Sequence, residues 1–144
     1  MQFIAQRAII VLCFALPLAG CIGSTQQKLQ ELQRLAAETP KFPDFEQVNY
    51  SDISKSEETV VAYFYRSSAT YDEVKSFYTN ALLSRGWSSV QEEPLAKWSR
   101  SDHSRRLSFK KGKYTFHLEY DPDLGSKWKF AVDYGLSGGE PSSR

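Results

Sequence analysis

Between Leu107 and Tyr134 apolar and polar residues alternate with a period of two, and this alternation constrains the chain more than any other feature in it. Leu107 and Phe109 share one face. Past Lys111-Gly112, Tyr114, Phe116, Leu118 and Tyr120 share a face. Past Asp121-Pro122-Asp123-Leu124-Gly125, Trp128, Phe130, Val132 and Tyr134 share a face. The alternate positions are polar or charged, Ala131 excepted. A side-chain period of two belongs to strands. One apolar and one wet side is the pattern of an antiparallel sheet. A two-residue turn at Lys111-Gly112 sets Phe109 opposite Tyr114 and Leu107 opposite Phe116. Setting Tyr120 opposite Trp128 pairs Asp121 with Lys127 and Glu119 with Lys129 on the wet side, each pair worth roughly a few tenths of a kcal/mol.

An apolar sheet face needs a second layer, and Thr70 to Arg85 supplies it. Thr70 and Glu73 have capping-box spacing, and Asp72 and Glu73 suit the positive end of a helix dipole. Val74, Phe77, Tyr78, Ala81 and Leu82 form one apolar stripe. Gly86 fits the left-handed stop, with Trp87 placed to touch Leu82. Thr59 to Arg66 is β-branched and aromatic, a strand with two largely apolar faces. Lys41 to Glu58 reads as irregular. Its Phe42, Phe45, Val48, Tyr50 and Ile53 imply packing on the domain, and Phe42, Phe45 and Ile53 are candidates to cover the strand face that the helix leaves. Trp87 to Glu93 reads as a short strand stopped by Pro94, Leu95 to Ser104 as loop, and 139–144 as a disordered tail. The expected fold is α+β: one helix on a single, mostly antiparallel sheet of four to five strands, in the order β-α-β-β-β-β. Its core is expected where Phe77, Phe116 and Phe130 meet.

The chain's start carries different information. Met1 to Arg7 holds one positive charge, and Ala8 to Ala19 is almost wholly apolar. That is the layout of a secretory signal peptide. The run falls short of the roughly 18 residues needed for a permanent span. Leu18-Ala19-Gly20-Cys21 follows, and it resembles the bacterial lipobox. The resemblance implies a cut before Cys21, diacylglycerol on its thiol and acylation of the new amino terminus. Two or more acyl chains hold a protein stably to a bilayer. Ile22 is not the Asp that resembles an inner-membrane retention signal, so the resemblance implies the outer membrane, facing the periplasm. In a single-membrane cell it implies the outer face of the plasma membrane. The expected organisation is signal peptide 1–20, lipid-anchored tether 21–40, domain 41–137 and tail 138–144. Within the tether Ser24 to Glu38 reads as a short helix with Leu29, Leu32 and Leu35 on one stripe, either a spacer that lifts the domain off the membrane or a small self-associating or docking helix.

Cys13 leaves with the signal peptide and Cys21 is lipidated, so the mature chain keeps no thiol for a disulfide and depends on its apolar core. Losing Arg7 from 18 basic and 17 acidic residues leaves a net charge of zero. Residues 95–113 nevertheless hold seven basic residues, Lys97, Arg100, Arg105, Arg106, Lys110, Lys111 and Lys113, against Asp102 alone. Trp98 and Phe109 accompany them.

Catalytic and metal chemistry finds little purchase. Zinc needs three or four converging ligands, and only His103 and His117 are present. His117 reads as solvent-facing, with Arg106 across from it. Asp121-Pro122-Asp123-Leu124-Gly125 reads as a turn, since the third acid and bidentate Glu of a calcium loop are missing. A serine hydrolase would need His117 beside a nucleophile in a cleft. No cofactor is expected, and the chain reads as a non-enzyme. The whole resembles small bacterial lipoproteins of unassigned function. Two functions remain open. One is a non-catalytic interaction module, binding a protein or anionic envelope polymer through Arg100, Arg105, Arg106, Lys110, Lys111 and Lys113, with no nucleic acid expected in the envelope. The other is a small-ligand or glycan-binding domain that uses the aromatic sheet face where the helix leaves it uncovered. That second reading falls if Trp128, Phe130, Tyr114 and Phe116 are all buried under the helix.

Overall fold

The computed structural model describes residues 23–54, 58–96, 100–124 and 127–137. The signal peptide, Leu18-Ala19-Gly20-Cys21, Lys97, Trp98 and the tail lie outside the described residues. The elements run α1 (Gly23–Glu38), β1 (Glu46–Ser54), β2 (Glu58–Arg66), α2 (Tyr71–Leu83), β3 (Ser88–Pro94), β4 (Arg105–Lys111), β5 (Tyr114–Tyr120) and β6 (Phe130–Ser137). The α+β class holds, but the sheet has six strands rather than four to five, and the helix expected as a tether packs on it beside the expected one. All neighbours in the sheet are antiparallel, in the order β1-β2-β6-β5-β4-β3.

α2 begins as its sequence dictates. The Thr70 hydroxyl accepts from the Glu73 amide at 3.3 Å, and the Thr70 amide donates to the Glu73 carboxylate at 2.7 Å. It ends at Gly86, whose φ of +77° only glycine adopts freely. Gly86 N donates to the Leu83 carbonyl and Trp87 N to the Leu82 carbonyl, the hydrogen bonds of a Schellman motif. Trp87 is buried in the core with Leu82. We expect Thr70→Ala to cost about 1 kcal/mol, read as a lower urea midpoint at unchanged slope.

The segment before β2 is ordered by two contacts. Asp44 Oδ2 accepts from Ser67 Oγ (2.7 Å), the Ser68 amide (2.8 Å) and Ser68 Oγ (2.9 Å). Phe45 stacks on Tyr65 at 4.5 Å between centroids. Residues 46–54, expected to be irregular, are therefore laid along β2 as an edge strand with a bulge between Gln47 and Asn49. Phe42 and Phe45 do not cover the second face of the sheet. Phe45 packs with Phe130 and Tyr78, and Phe42 with Phe77, all on the helix side. Ile53 is exposed.

Both hairpin registers differ from expectation by two residues. Gly112 takes φ +56° and opens a Gly112-Lys113 turn, so Lys111 pairs with Tyr114, Phe109 with Phe116 and Leu107 with Leu118. A left-handed first turn residue suits a two-residue hairpin, and an even shift keeps each apolar face intact. In the next hairpin Tyr120 pairs with Phe130 and Glu119 with Ala131. Trp128 lies outside β6, where it packs on Phe64 and under the Arg100 guanidinium at 5.2 Å. The Pro122–Leu124 turn, held by Asp123 N to Asp121 Oδ1 at 3.1 Å, breaks the strand phase. The expected Asp121–Lys127 and Glu119–Lys129 pairs give way to bonds from Arg100 to both acids.

The core is a sheet of rings. Phe116 is fully buried and has Tyr78, Trp87, Phe109 and Tyr134 as ring neighbours. Phe77 turns instead to Phe42 and Tyr78, and Phe130 to Phe45 and Tyr120, so Phe77, Phe116 and Phe130 are joined through Tyr78 and Phe45 rather than directly. α1 joins the same core. Leu32 is fully buried, and Leu29, Leu35 and Ala36 pack around it. The helix thus docks on its own sheet as a second element of the helix layer.

Candidate functional site

α1 and α2 do not meet over the whole sheet. Where α1 ends, a cavity of about 540 Å³ opens between residues 36–41, β1, β2, β6 and α2. Its floor is aromatic: Tyr63 and Tyr65 from β2, Tyr78 from α2 and Tyr134 from β6. Strand alternation puts Tyr63, Tyr65 and Tyr134 on the helix side of neighbouring strands, with Tyr63 and Tyr134 rings edge to face at 6.3 Å. Its rim is exposed and polar, with Gln33, Glu38, Lys41 and Gln47.

The floor's hydroxyls are partly tied. Tyr134 is hydrogen-bonded to Thr39, whose own hydroxyl donates to the Leu35 carbonyl at 2.8 Å. Tyr78 takes a backbone hydrogen bond at Phe42. Burial raises all four phenols, Tyr65 to about 12, so each keeps its proton. The cavity offers apolar ring faces, neutral O–H groups that both donate and accept, and a mouth balanced between Glu38 and Lys41. Such a lining suits an uncharged ligand with a flat apolar face and several hydrogen-bonding groups.

The basic stretch is distributed differently from a continuous patch. Arg106 Nε donates to Glu119 at 3.0 Å and lies 3.9 Å from Glu93. Arg100 bonds Glu119 and Asp121. Lys113 bonds Glu31 at 2.7 Å. Lys111 donates to the Arg85 carbonyl at 2.7 Å. Arg105 and Lys110 are exposed at opposite ends of β4, and Arg105 lies near Tyr71 and Glu92. Arg100 and Arg106 thus belong to an ionic cluster on the sheet's second face, while Lys110, Lys111 and Lys113 belong to the hairpin tip.

The second face carries one further row. Ser108, His117 and Asp133 are register partners on β4, β5 and β6, so Ser108, not Arg106, stands across from His117. Ser108 Oγ lies 2.8 Å from His117 Nδ1. Burial holds the imidazole below its usual range, and Arg106 adds to that. The row lies on the sheet's second face, and its strands' amides take part in ladder bonding. Among the described residues no three or more His, Cys, Asp or Glu gather to hold a metal, and no helix is long and apolar enough to cross a membrane.

Helices closing one face of an antiparallel sheet around a tyrosine-floored cavity define an α+β cavity protein. The family model described as START domain-like matches residues 47–127, more than half of the chain, and the chain belongs to that family. No curated protein and no solved structure matches it. The match begins within β1, so it includes Tyr63, Tyr65 and Tyr78 and leaves out α1 and Tyr134.

Sequence reasoning missed the cavity. Tyr63, Tyr65 and Tyr134 were legible as strand residues facing the core. Pro40 limits how far α1 can extend, but nothing local says that this end falls above them. Of the four rings named as the discriminator for ligand binding, Phe116 and Phe130 are buried, Tyr114 is half-buried at the edge of α1, and Trp128 sits on the other face.

Proposed function

We propose that this chain is a lipoprotein of the bacterial envelope, anchored through acylated Cys21, whose domain binds a small neutral ligand in the tyrosine-floored cavity. The cavity is the observation that carries this reading. Its volume falls within the roughly 300–1,000 Å³ of small-molecule sites, and family membership supports a ligand-binding fold. The ligand class is a glycan or a molecule of similar character: sugar rings have apolar faces for the phenyl rings and hydroxyls for the phenols. This is binding by the aromatic sheet face where the helix layer leaves it open. The signal peptide, lipobox and Ile22 support delivery to the outer membrane, facing the periplasm. In a single-membrane cell the same signals would leave the domain outside the plasma membrane. An interaction module acting through the whole basic stretch has less support, because Arg100, Arg106 and Lys113 meet carboxylates within the chain.

The test titrates the mature protein with a disaccharide of N-acetylated amino sugars and, separately, octyl glucoside, followed by amide and tyrosine ring NMR shifts. Shifts should concentrate at Thr39, Tyr63 and Tyr134. Tyr63→Ala should weaken binding roughly tenfold, about 1.4 kcal/mol, because a half-buried ring can be removed without emptying the core. No cavity shifts with either probe would remove the ligand reading. An unmodified Cys21 in the intact mass of the mature protein would remove the anchor.

A further inference from the structure

α1 leaves the docked domain at the end where β4 turns into β5. The Glu31 carboxylate accepts from Lys113 Nζ at 2.7 Å and from the Tyr114 hydroxyl. The other end of α1 borders the cavity. Leu29, Leu32 and Leu35 fix the helix between these two points. The residues before Glu31, with Thr25 to Lys28 exposed, therefore run on past the hairpin tip.

That end of the domain is cationic on its β4–β5 side. Lys28, Arg85, Lys110 and Lys111 are exposed there. Lys111 bonds the Arg85 carbonyl, and the Arg85 guanidinium bonds the Ala81 carbonyl at 2.9 Å. A carbonyl accepts such hydrogen bonds without cancelling the charge. Lys113 is balanced by Glu31, and the acids Asp52 and Glu58 stand on the β1–β2 side.

The geometry points to this end as a membrane-facing surface, on which Lys110, Lys111, Arg85 and Lys28 rest on the anionic headgroups of the bilayer that holds Cys21. The inference depends on the anchor proposed above. Cys21 precedes Gly23 by two residues, a reach of at most about 7 Å. Gly23 to Glu31 adds about 12 Å of helix. No long flexible spacer separates the lipid from a helix bolted to the sheet, so the hairpin tip stays within about 19 Å of the anchor and its lysines reach the headgroups when α1 leans toward the bilayer. Each cation near an anionic surface raises partition roughly fivefold, with a range of about 8 Å at physiological ionic strength. The cavity, at the far end of α1, then opens about 10 Å further out than the hairpin tip, where a water-borne ligand reaches it.

The experiment uses the mature acylated chain in vesicles that contain a headgroup quencher. One fluorophore replaces Ser88, beside Lys110 in the ladder, and a control fluorophore replaces Asp123 at the opposite end. The Ser88 label should be quenched severalfold more in phosphatidylglycerol vesicles than in phosphatidylcholine vesicles. The difference should vanish at high salt and in Lys110→Glu/Lys111→Glu, while the Asp123 label should respond equally little to either lipid. Equal Ser88 quenching in both lipids overturns the surface, as does capture of an acidic protein by the hairpin with no lipid dependence. A mass lacking acyl chains sinks the anchor separately. The same label then reads the unanchored chain, and absence of salt-sensitive quenching by phosphatidylglycerol overturns the surface as well.

Discussion

Truncating Phe116 to alanine should lower stability by about 3–5 kcal/mol, the usual cost of a fully buried aromatic, and a large share of the roughly 5–15 kcal/mol that holds a domain of this size. Phe116 has no exposed surface and touches four rings drawn from α2, β4, β6 and the turn after α2. Removing it opens a void at the point where the helix layer meets the middle of the sheet. Neighbouring rings are too rigid to fill such a void. Phe64→Ala is the comparison. Phe64 is half-buried on the other face with Trp128, and its loss should cost less than half as much. Urea unfolding of the two variants separates the cases. Equal midpoints for Phe116→Ala and the parent would refute a two-layer core centred on this ring.

The elements that could be read from sequence are those whose signals are local. α2 has its cap at Thr70, its acid at Glu73 and its stop at Gly86, and all three act within one helix turn of themselves. β2 is β-branched and aromatic whatever surrounds it. β1 has no such signal. Its Asn49 and Ser51 favour turns, and Asn49 Oδ1 indeed bonds the Tyr50 amide at 2.8 Å at the bulge. It is a strand because β2 offers an edge and Asp44 and Phe45 deliver the chain to it. Phe130, Val132 and Tyr134 share the buried face as their alternation predicts, and only Trp128 departs from it, for a related reason. Trp128 continues the alternation on paper, but the Pro122–Leu124 turn and the Arg100–Trp128–Phe64 stack take it to the other face.

Site legibility follows the same division. The leucine stripe of α1 is visible, yet spacer and docking helix share that stripe, and only the sheet decides between them. The cavity needs Thr39 beside Tyr134 and Tyr65 beside Tyr78, contacts between distant parts of the chain. The basic stretch was visible as composition, while its partners Glu119, Glu93 and Glu31 lie in other elements. Charge counted along a sequence measures what is available. Pairing across strands sets what remains for a partner.

Between pH 4 and 7 the sheet's second face should make stability fall as pH rises, through Asp133. This carboxyl is half-buried on β6. Burial pushes it up to about 7, the nearby Glu119 adds to the shift, and Arg106 opposes it. In the unfolded chain an Asp releases its proton near pH 4. In the window between these values the folded protein keeps a proton that the unfolded chain gives up. Linkage then favours the unfolded state increasingly, by at most about 4 kcal/mol once pH exceeds 7. The stabilisation is complete below pH 4 and is lost as pH rises through the folded value. His117, beside Asp133 in the ladder, acts with the opposite sign. Its folded pKa is depressed, chiefly by burial, so its contribution is complete above about 6.5 and is lost as pH falls through the folded value. The parent curve sums both groups, and Asp133→Asn isolates one of them. The amide keeps the shape and cannot ionise, so the variant should gain stability at pH 8 and match the parent near pH 4. Urea titrations at unit steps from pH 4 to pH 8 measure the difference. Parallel curves would mean that Asp133 ionises as an ordinary surface acid and that the second face is wetter than its burial implies.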